Sequence, residues 1–143
     1  MILVLDTTDP LHVRFGLSRH GRSVTQKAEH RMQRTRLDTA ALLLRFLHKH
    51  RATPLLKGVI VRDRAGTFSG VRLGVVLANS MALAQGIPVT TVAVAGAPTL
   101  AQLLKKGMRK LGTQRAGTFA VPQYHKPPNI SKPRPSVRAP SRR

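Results

Sequence analysis

Three places in this sequence carry residues whose type and spacing could do chemistry. Asp6 ends a short apolar run and is followed by Thr7 and Thr8. A carboxylate there could help hold a metal-bound nucleotide, or it could buttress the turn by accepting from its neighbours; the reading favoured is the turn. Gly66, Gly70 and Gly74 open a helical stretch after a strand, the context in which a helix N-terminus meets an anion. No Gly-Lys-Ser/Thr element follows, so this is not a P-loop, and a tight turn with close helix packing explains the glycines. His48 and His50 stand two apart and do not share a helical face. Their place near a helix end suits its dipole, and no third ligand lies close in sequence. The chain has no Cys and five carboxylates. Thiolate chemistry is excluded, acid–base catalysis is disfavoured, and no cofactor or metal is expected.

Charge is the other chemical signal. Lys and Arg number 25 in 143 residues, for a formal net charge of +20. A polyanion is the expected partner, with RNA first and an anionic membrane second. Residues 105–143 carry 11 basic and no acidic residues, and six of the ten prolines lie between Pro122 and Pro140. Residues 113–143 therefore read as an extended basic tail on a domain spanning 1–112. Candidate RNA contacts are Arg31, Arg34 and Arg36, then Lys105, Lys106, Arg109 and Lys110 on the last helix, and Lys126, Lys132 and Arg134 in the tail. Aromatics make up 3% of the chain, so contact should be to phosphate and not to particular bases.

The elements that must position these residues follow from periodicity. Strands are expected at 2–5, 11–17 and 23–28, making an antiparallel meander. Asp38 is the expected N-cap of a helix whose inner face holds Leu37, Ala41, Leu44 and Leu47 or His48. A buried strand at 58–61 should pair parallel with an earlier one. Ser69 is the expected N-cap of a helix reaching Gln85, with Gly86 just beyond its end. A strand at 88–94 and a helix at 99–111 complete the domain. No charged residue lies between Arg72 and Lys105, but Gly86 and Pro88 break this stretch, and it reads as buried helix, turn and strand and not as a membrane span. The opening apolar run lacks a basic flank and is too short for a signal peptide, so a cytoplasmic location is expected. The order β-β-β-α-β-α-β-α resembles one half of the actin-like, ribonuclease-H-like α/β fold, a mixed sheet with flanking helices.

The resemblance becomes specific in the loop motif. Ala65-Gly66-Thr67-Phe68-Ser69-Gly70-Val71-Arg72-Leu73-Gly74 resembles the Gly-Pro-Gly-Ser-Phe-Thr-Gly-Leu-Arg-Ile-Gly signature of the TsaB (YeaZ) family. The opening Ile2-Leu3-Val4-Leu5-Asp6-Thr7-Thr8 and the run Ala82-Leu83-Ala84-Gln85-Gly86-Ile87-Pro88-Val89 are similar to that family, as is the ending Val121-Pro122-Gln123-Tyr124 with Pro127-Pro128-Asn129-Ile130. Arg64 and Ala65 stand where the family has Gly-Pro. Typical members have two actin-like halves, and this chain has room for one.

The resemblance implies a non-catalytic subunit of the machinery that makes threonylcarbamoyladenosine in tRNA. It would pair with a TsaD-like transferase subunit, or with a second copy, and a TsaE-like ATPase could join. In ATP-hydrolysing actin-like proteins an acid at the position of Asp6 helps bind the metal–nucleotide, but that ligand lies between two halves. The pairing surface is expected on the helix of 69–85, at Val71, Gly74, Val75, Ala78, Met81 and Ala82, with Ala78 and Met81 pointing outward. The other reading is an RNA-binding or ribosome-associated protein that reuses the half-domain.

Overall fold

Continuous apolar runs in the central strands and an alternating run beside them set the sheet. The computed structural model describes residues 1–31, 38–64 and 66–123. Strands β1 (Ile2–Asp6), β2 (His12–Ser18) and β3 (Gln26–Arg31) form an antiparallel meander. Helix α1 (Thr39–Lys49) and a 3-10 turn (Thr53–Leu55) lead to β4 (Gly58–Arg62). Helix α2 (Phe68–Gln85), strand β5 (Val89–Val92) and helix α3 (Leu100–Leu111) follow. The sheet order is β3-β2-β1-β4-β5, with β4 parallel to both β1 and β5.

Strands β1, β4 and β5 feed two cores, because successive side chains point to opposite faces. Leu3, Leu5, Phe15, Val59 and Val61 pack with Leu43 and Leu47 of α1 and Val75 and Ala78 of α2. Val4, Ile60 and Val92 pack with Leu100, Leu103, Leu104 and Leu111 of α3. The molecule is thus three layers, with α1 and α2 on one face of the sheet and α3 on the other. Gly107 lets α3 approach closely, since a Cβ there would collide with the Ile60 side chain.

Local signals place most ends. Asp38 caps α1, its carboxylate accepting from the Ala41 N–H at 3.0 Å. Thr99 and Gln102 make a reciprocal capping box at α3. Gly86 takes the left-handed conformation that stops α2 (φ 61°).

Four expectations need correction. Thr67, and not Ser69, caps α2, its hydroxyl accepting from the Gly70 N–H at 3.1 Å. The third strand starts three residues later than expected, because the chain bends through Gly21 before Gln26 pairs with Leu17. The inner face of α1 is Thr39, Leu43, Phe46 and Leu47, whereas Leu44 is 57% exposed; Leu37 lies outside the described residues. The Phe46 ring explains the choice, since it meets Phe15 of β2 at 5.9 Å and the His50 ring at 4.9 Å. The packed chain also runs past residue 112. Ala120 is buried, and its backbone is held by both ends of the Asn79 amide, each at 2.9 Å.

Among the described residues no helix is long and apolar enough to cross a membrane. The two leucines of α1 give a direct test of the helix face. Leu47→Ala should cost about 2–5 kcal/mol of unfolding free energy, and Leu44→Ala within about 0.5 kcal/mol of zero. Denaturant titration of both variants reads the difference.

Candidate functional site

The carboxyl ends of β1 and β4 lie side by side, and there the chain gathers its buried charge. Asp6 is fully buried. Its Oδ1 accepts from the Thr8 backbone N–H at 3.1 Å and the Thr8 hydroxyl at 2.7 Å. This is the strand-end turn expected from sequence. Its Oδ2 is taken by two cations that the sequence reading passed over. Arg14 reaches it from β2 through Nη2, and Arg62 from β4 through Nη1 at 3.3 Å. Register was the signal: Asp6 pairs directly with Arg14 across the hairpin, and the Leu5–Val61 pair sets Arg62 beside Asp6. Arg62 is 3% exposed and also donates from Nη2 to the carbonyls of Val94 (3.0 Å) and Gly96 (2.5 Å). The next residue, Asp63, is buried too, and its Oδ1 has no hydrogen-bond partner among the described residues.

Both oxygens of Asp6 are therefore spoken for. A metal–nucleotide of the actin-like kind needs a carboxylate free to face a cation, and this one faces two guanidinium groups instead. No cluster of three or more metal-ligating side chains occurs among the described residues. The residues present do not fit that group. Nearby, Asp9 sits midway along the β1–β2 turn. The Leu11 N–H that it accepts at 2.7 Å holds its carboxyl below the usual range, with slight burial opposing and His12 assisting.

The glycine motif packs against this turn. A Cβ at Gly66 would strike the Thr8 carbonyl, one at Gly70 the Thr7 carbonyl, and one at Gly74 the Thr7 hydroxyl. The Thr7 hydroxyl in turn donates to the Gly70 carbonyl at 2.7 Å, and the Thr67 N–H to the Thr8 carbonyl at 3.3 Å. Close packing thus explains the glycine spacing. Gly66, Thr67, Phe68, Ser69 and Arg72 are exposed at the rim, and Gly70 is half-buried.

Helix α2 divides its residues differently from the expectation. Val71, Gly74, Val75, Ala78 and Ala82 are buried in the chain's own core, and Met81 is half-buried. Ala78, expected outside, is 0% exposed. Small and β-branched residues there fit the sheet closely, which the sequence could not tell from a fit to a second helix. The outward line is Ser69, Leu73, Val76, Ser80 and Leu83. Val76 is 53% and Leu83 66% exposed. Steps of four and three along this line trace a heptad seam. Phe119 and Val121, on the strap pinned by Asn79, are exposed as well.

The basic residues separate. Arg31 is exposed on β3 at one sheet edge. Lys105, Lys106, Arg109 and Lys110 are exposed on α3, which packs on a face of the sheet over β4 and β5. Arg34, Arg36, Lys126, Lys132 and Arg134 lie outside the described residues, as do Ala65 and Tyr124 of the motifs. Lys106 donates to the Ala93 carbonyl at 2.6 Å and Lys110 to the Thr91 carbonyl at 3.1 Å. The two lysines thus cap the outer carbonyls that end the edge strand β5. Arg64 joins them, lining one groove with Thr91, Ala93, Lys106, Arg109 and Lys110.

Two expected outcomes follow from the Asp6 cluster. Asp6→Asn should cost about 3–5 kcal/mol, because it leaves buried guanidinium charge uncompensated. Adding Arg62→Leu should recover part of that loss, and chemical denaturation of both variants reads the coupling. Calorimetry with magnesium and ATP should give no saturable heat. Micromolar binding lost on Asp6→Ala would contradict the assignment of Asp6 to the two arginines.

No protein-family model and no curated protein matches the sequence. Solved structures do match in fold. YeaZ from Pseudomonas aeruginosa superposes with a TM-score of 0.52 at 24% identity, over 64% of this chain and 43% of that one. An uncharacterized protein with similarity to peptidase YEAZ from Pseudomonas aeruginosa gives 0.50 at 23%, over 64% and 42%. RuvC of T. thermophilus, solved with a Holliday junction substrate, gives 0.51 at 14%, over 80% and 99%. The chain spans less than half the length of the YeaZ structures it matches. These neighbours agree with the resemblance read from the loop motif, and what they share with this chain is an architecture: it has the fold of one half of an actin-like, ribonuclease-H-like protein.

Proposed function

We propose that this chain is a non-catalytic partner subunit of the TsaB type, pairing with a TsaD-like transferase subunit that modifies tRNA with threonylcarbamoyladenosine. The observation that carries the reading is the outer line of α2. An α-helix on a domain surface normally turns a polar face to water. Here the exposed line holds Leu73, Val76 and Leu83 with two serines and no charge, and Phe119 and Val121 stand exposed on the neighbouring strap. An apolar seam with heptad spacing is suited to packing a second helix alongside it at a shallow angle. The YeaZ-like fold and the loop motif support the choice of partner. The engaged Asp6 and the shortage of free carboxylates support a subunit that leaves the chemistry to its partner.

Substitution on the seam separates this reading from a core role. Val76→Glu with Leu83→Glu should leave the circular dichroism spectrum and unfolding midpoint intact. The same change should weaken co-elution with a TsaD-like subunit by about 2 kcal/mol or more, roughly thirty-fold. Ala78→Glu, aimed into the core, should unfold the chain instead. Reconstitution of the modification with the TsaD-like subunit, adenylate donor and tRNA should need this chain and fail with the seam variant. Undiminished assembly by a folded seam variant would overturn the reading.

A further inference from the structure

After Asp63 the chain contains no acidic residue. Every cation beyond that point must therefore find its counter-charge in the first 63 residues or in something bound. The first 63 residues have none to offer the α3 side. Asp6 is held by Arg14 and Arg62, Asp38 caps α1, Asp9 turns the β1–β2 loop beside His12, Glu29 sits on β3 at the far edge, and Asp63, next to Arg64, is buried and makes no ion pair among the described residues. Among the described residues Arg64, Lys105, Lys106, Arg109 and Lys110 make no ion pair.

The fold brings these five cations together. Arg64 follows β4 at its carboxyl end, and α3 runs past the edge strand β5. Arg64, Lys106, Arg109 and Lys110 line one groove with Thr91, Ala93 and Thr113. Lys105, Lys106 and Arg109 continue it along the outer side of α3 with Gln102. Two of the cations are held in place. Four helical residues rise about 6 Å and two strand residues about 6.6 Å, so lysines four apart on α3 match carbonyls two apart at the end of β5. Each of these ammonium groups uses one donor on the strand and keeps two for a ligand. Five converging cations with no acid among them suit a chain of phosphates, and not a single small anion. Among the described residues the groove is lined by no aromatic residue, so bases find none there to stack on.

We propose that this groove binds RNA through its phosphate backbone, without regard to base sequence. The assignment is independent of the α2 seam, which lies on the other face of the sheet. Its test uses the full chain and a short fluorescein-labelled RNA of mixed sequence, read by anisotropy as salt rises from about 50 to about 200 mM. The variant Arg64→Glu/Lys105→Glu/Arg109→Glu spares the two strand-capping lysines. It should bind roughly tenfold or more weakly at low salt, and its log–log salt slope should be shallower by about 2, as expected for three lost phosphate contacts. The variant Arg64→Gln/Lys105→Gln/Arg109→Gln, gentler on the fold, should flatten the slope by the same amount. Arg45→Glu/Lys49→Glu/Lys57→Glu makes an equal charge change on α1 and at the start of β4, and should lose much less. Equal loss in the groove and control variants would mean that affinity follows net charge, and would overturn the site. So would unchanged RNA binding in the groove variants, the result expected if the groove takes an acidic protein. A strong preference between two RNA sequences would overturn backbone recognition. The Val76→Glu/Leu83→Glu protein should bind RNA as well as the parent does, so the two surfaces stand or fall separately.

Discussion

A carboxylate with no access to water must be neutralised where it stands or give up its charge. Asp6 meets that constraint at the middle of the sheet, and much of the molecule is arranged around the solution. Arg14 comes from the antiparallel neighbour and Arg62 from the parallel one, so the two kinds of strand pairing converge on one side chain. Arg62 then spends its remaining donors on Val94 and Gly96, fixing the segment that leads from β5 into α3. The turn that follows β1 receives Gly66 against Thr8, and Gly70 and Gly74 of α2 against Thr7. Both layers of helices are thus referenced to the end of β1 and the turn after it. In this fold class that location can serve a ligand. Here it serves the fold.

The α2 and α3 surfaces differ in kind because the sheet separates them. The α2 side is apolar and uncharged along its outer line, whereas the α3 side is cationic, and its exposed cations make no ion pair among the described residues. Hydrophobic association is non-directional and nearly indifferent to salt, while phosphate binding is strongly salt-dependent. Two partners of unlike chemistry could occupy the molecule together without competing for area. The strap across α2 helps keep the division. Asn79 offers its amide to both backbone groups of Ala120, which holds Ala120 in the apolar core.

The order of elements was legible because each carries its own period and its own punctuation. Asp38, Gly86 and Thr99 act locally, and their roles can be read one residue at a time. The loop motif likewise pointed to the right architecture, since its glycines answer to one close approach. What could not be read is what depends on register and on which of two partners a face meets. Arg14 and Arg62 look like ordinary strand residues until pairing sets them beside Asp6. Val71, Val75, Ala78 and Ala82 form a stripe that suits a sheet or a foreign helix equally well in sequence, and packing alone assigns it to the sheet. Leu44 and Leu43 are adjacent and chemically identical, so only the position of Phe15 and Phe46 decides which one is buried. Arg64 and Lys110 are far apart in the chain, and their meeting is a result of topology.

The lysines on α3 have a second consequence. An open edge strand displays carbonyl groups that another strand can pair with, and such edges are where chains stick to one another. Lys110 occupies the Thr91 carbonyl of β5 and Lys106 the Ala93 carbonyl just past its end, so the groups that help line the groove also cover the edge against a second copy. The two properties cannot drift apart freely. A substitution or acetylation that removes either charge also uncovers strand edge, and a loss of affinity would come with a tendency to aggregate. Selection against self-association would then preserve these two positions even in a descendant that had no use for the groove.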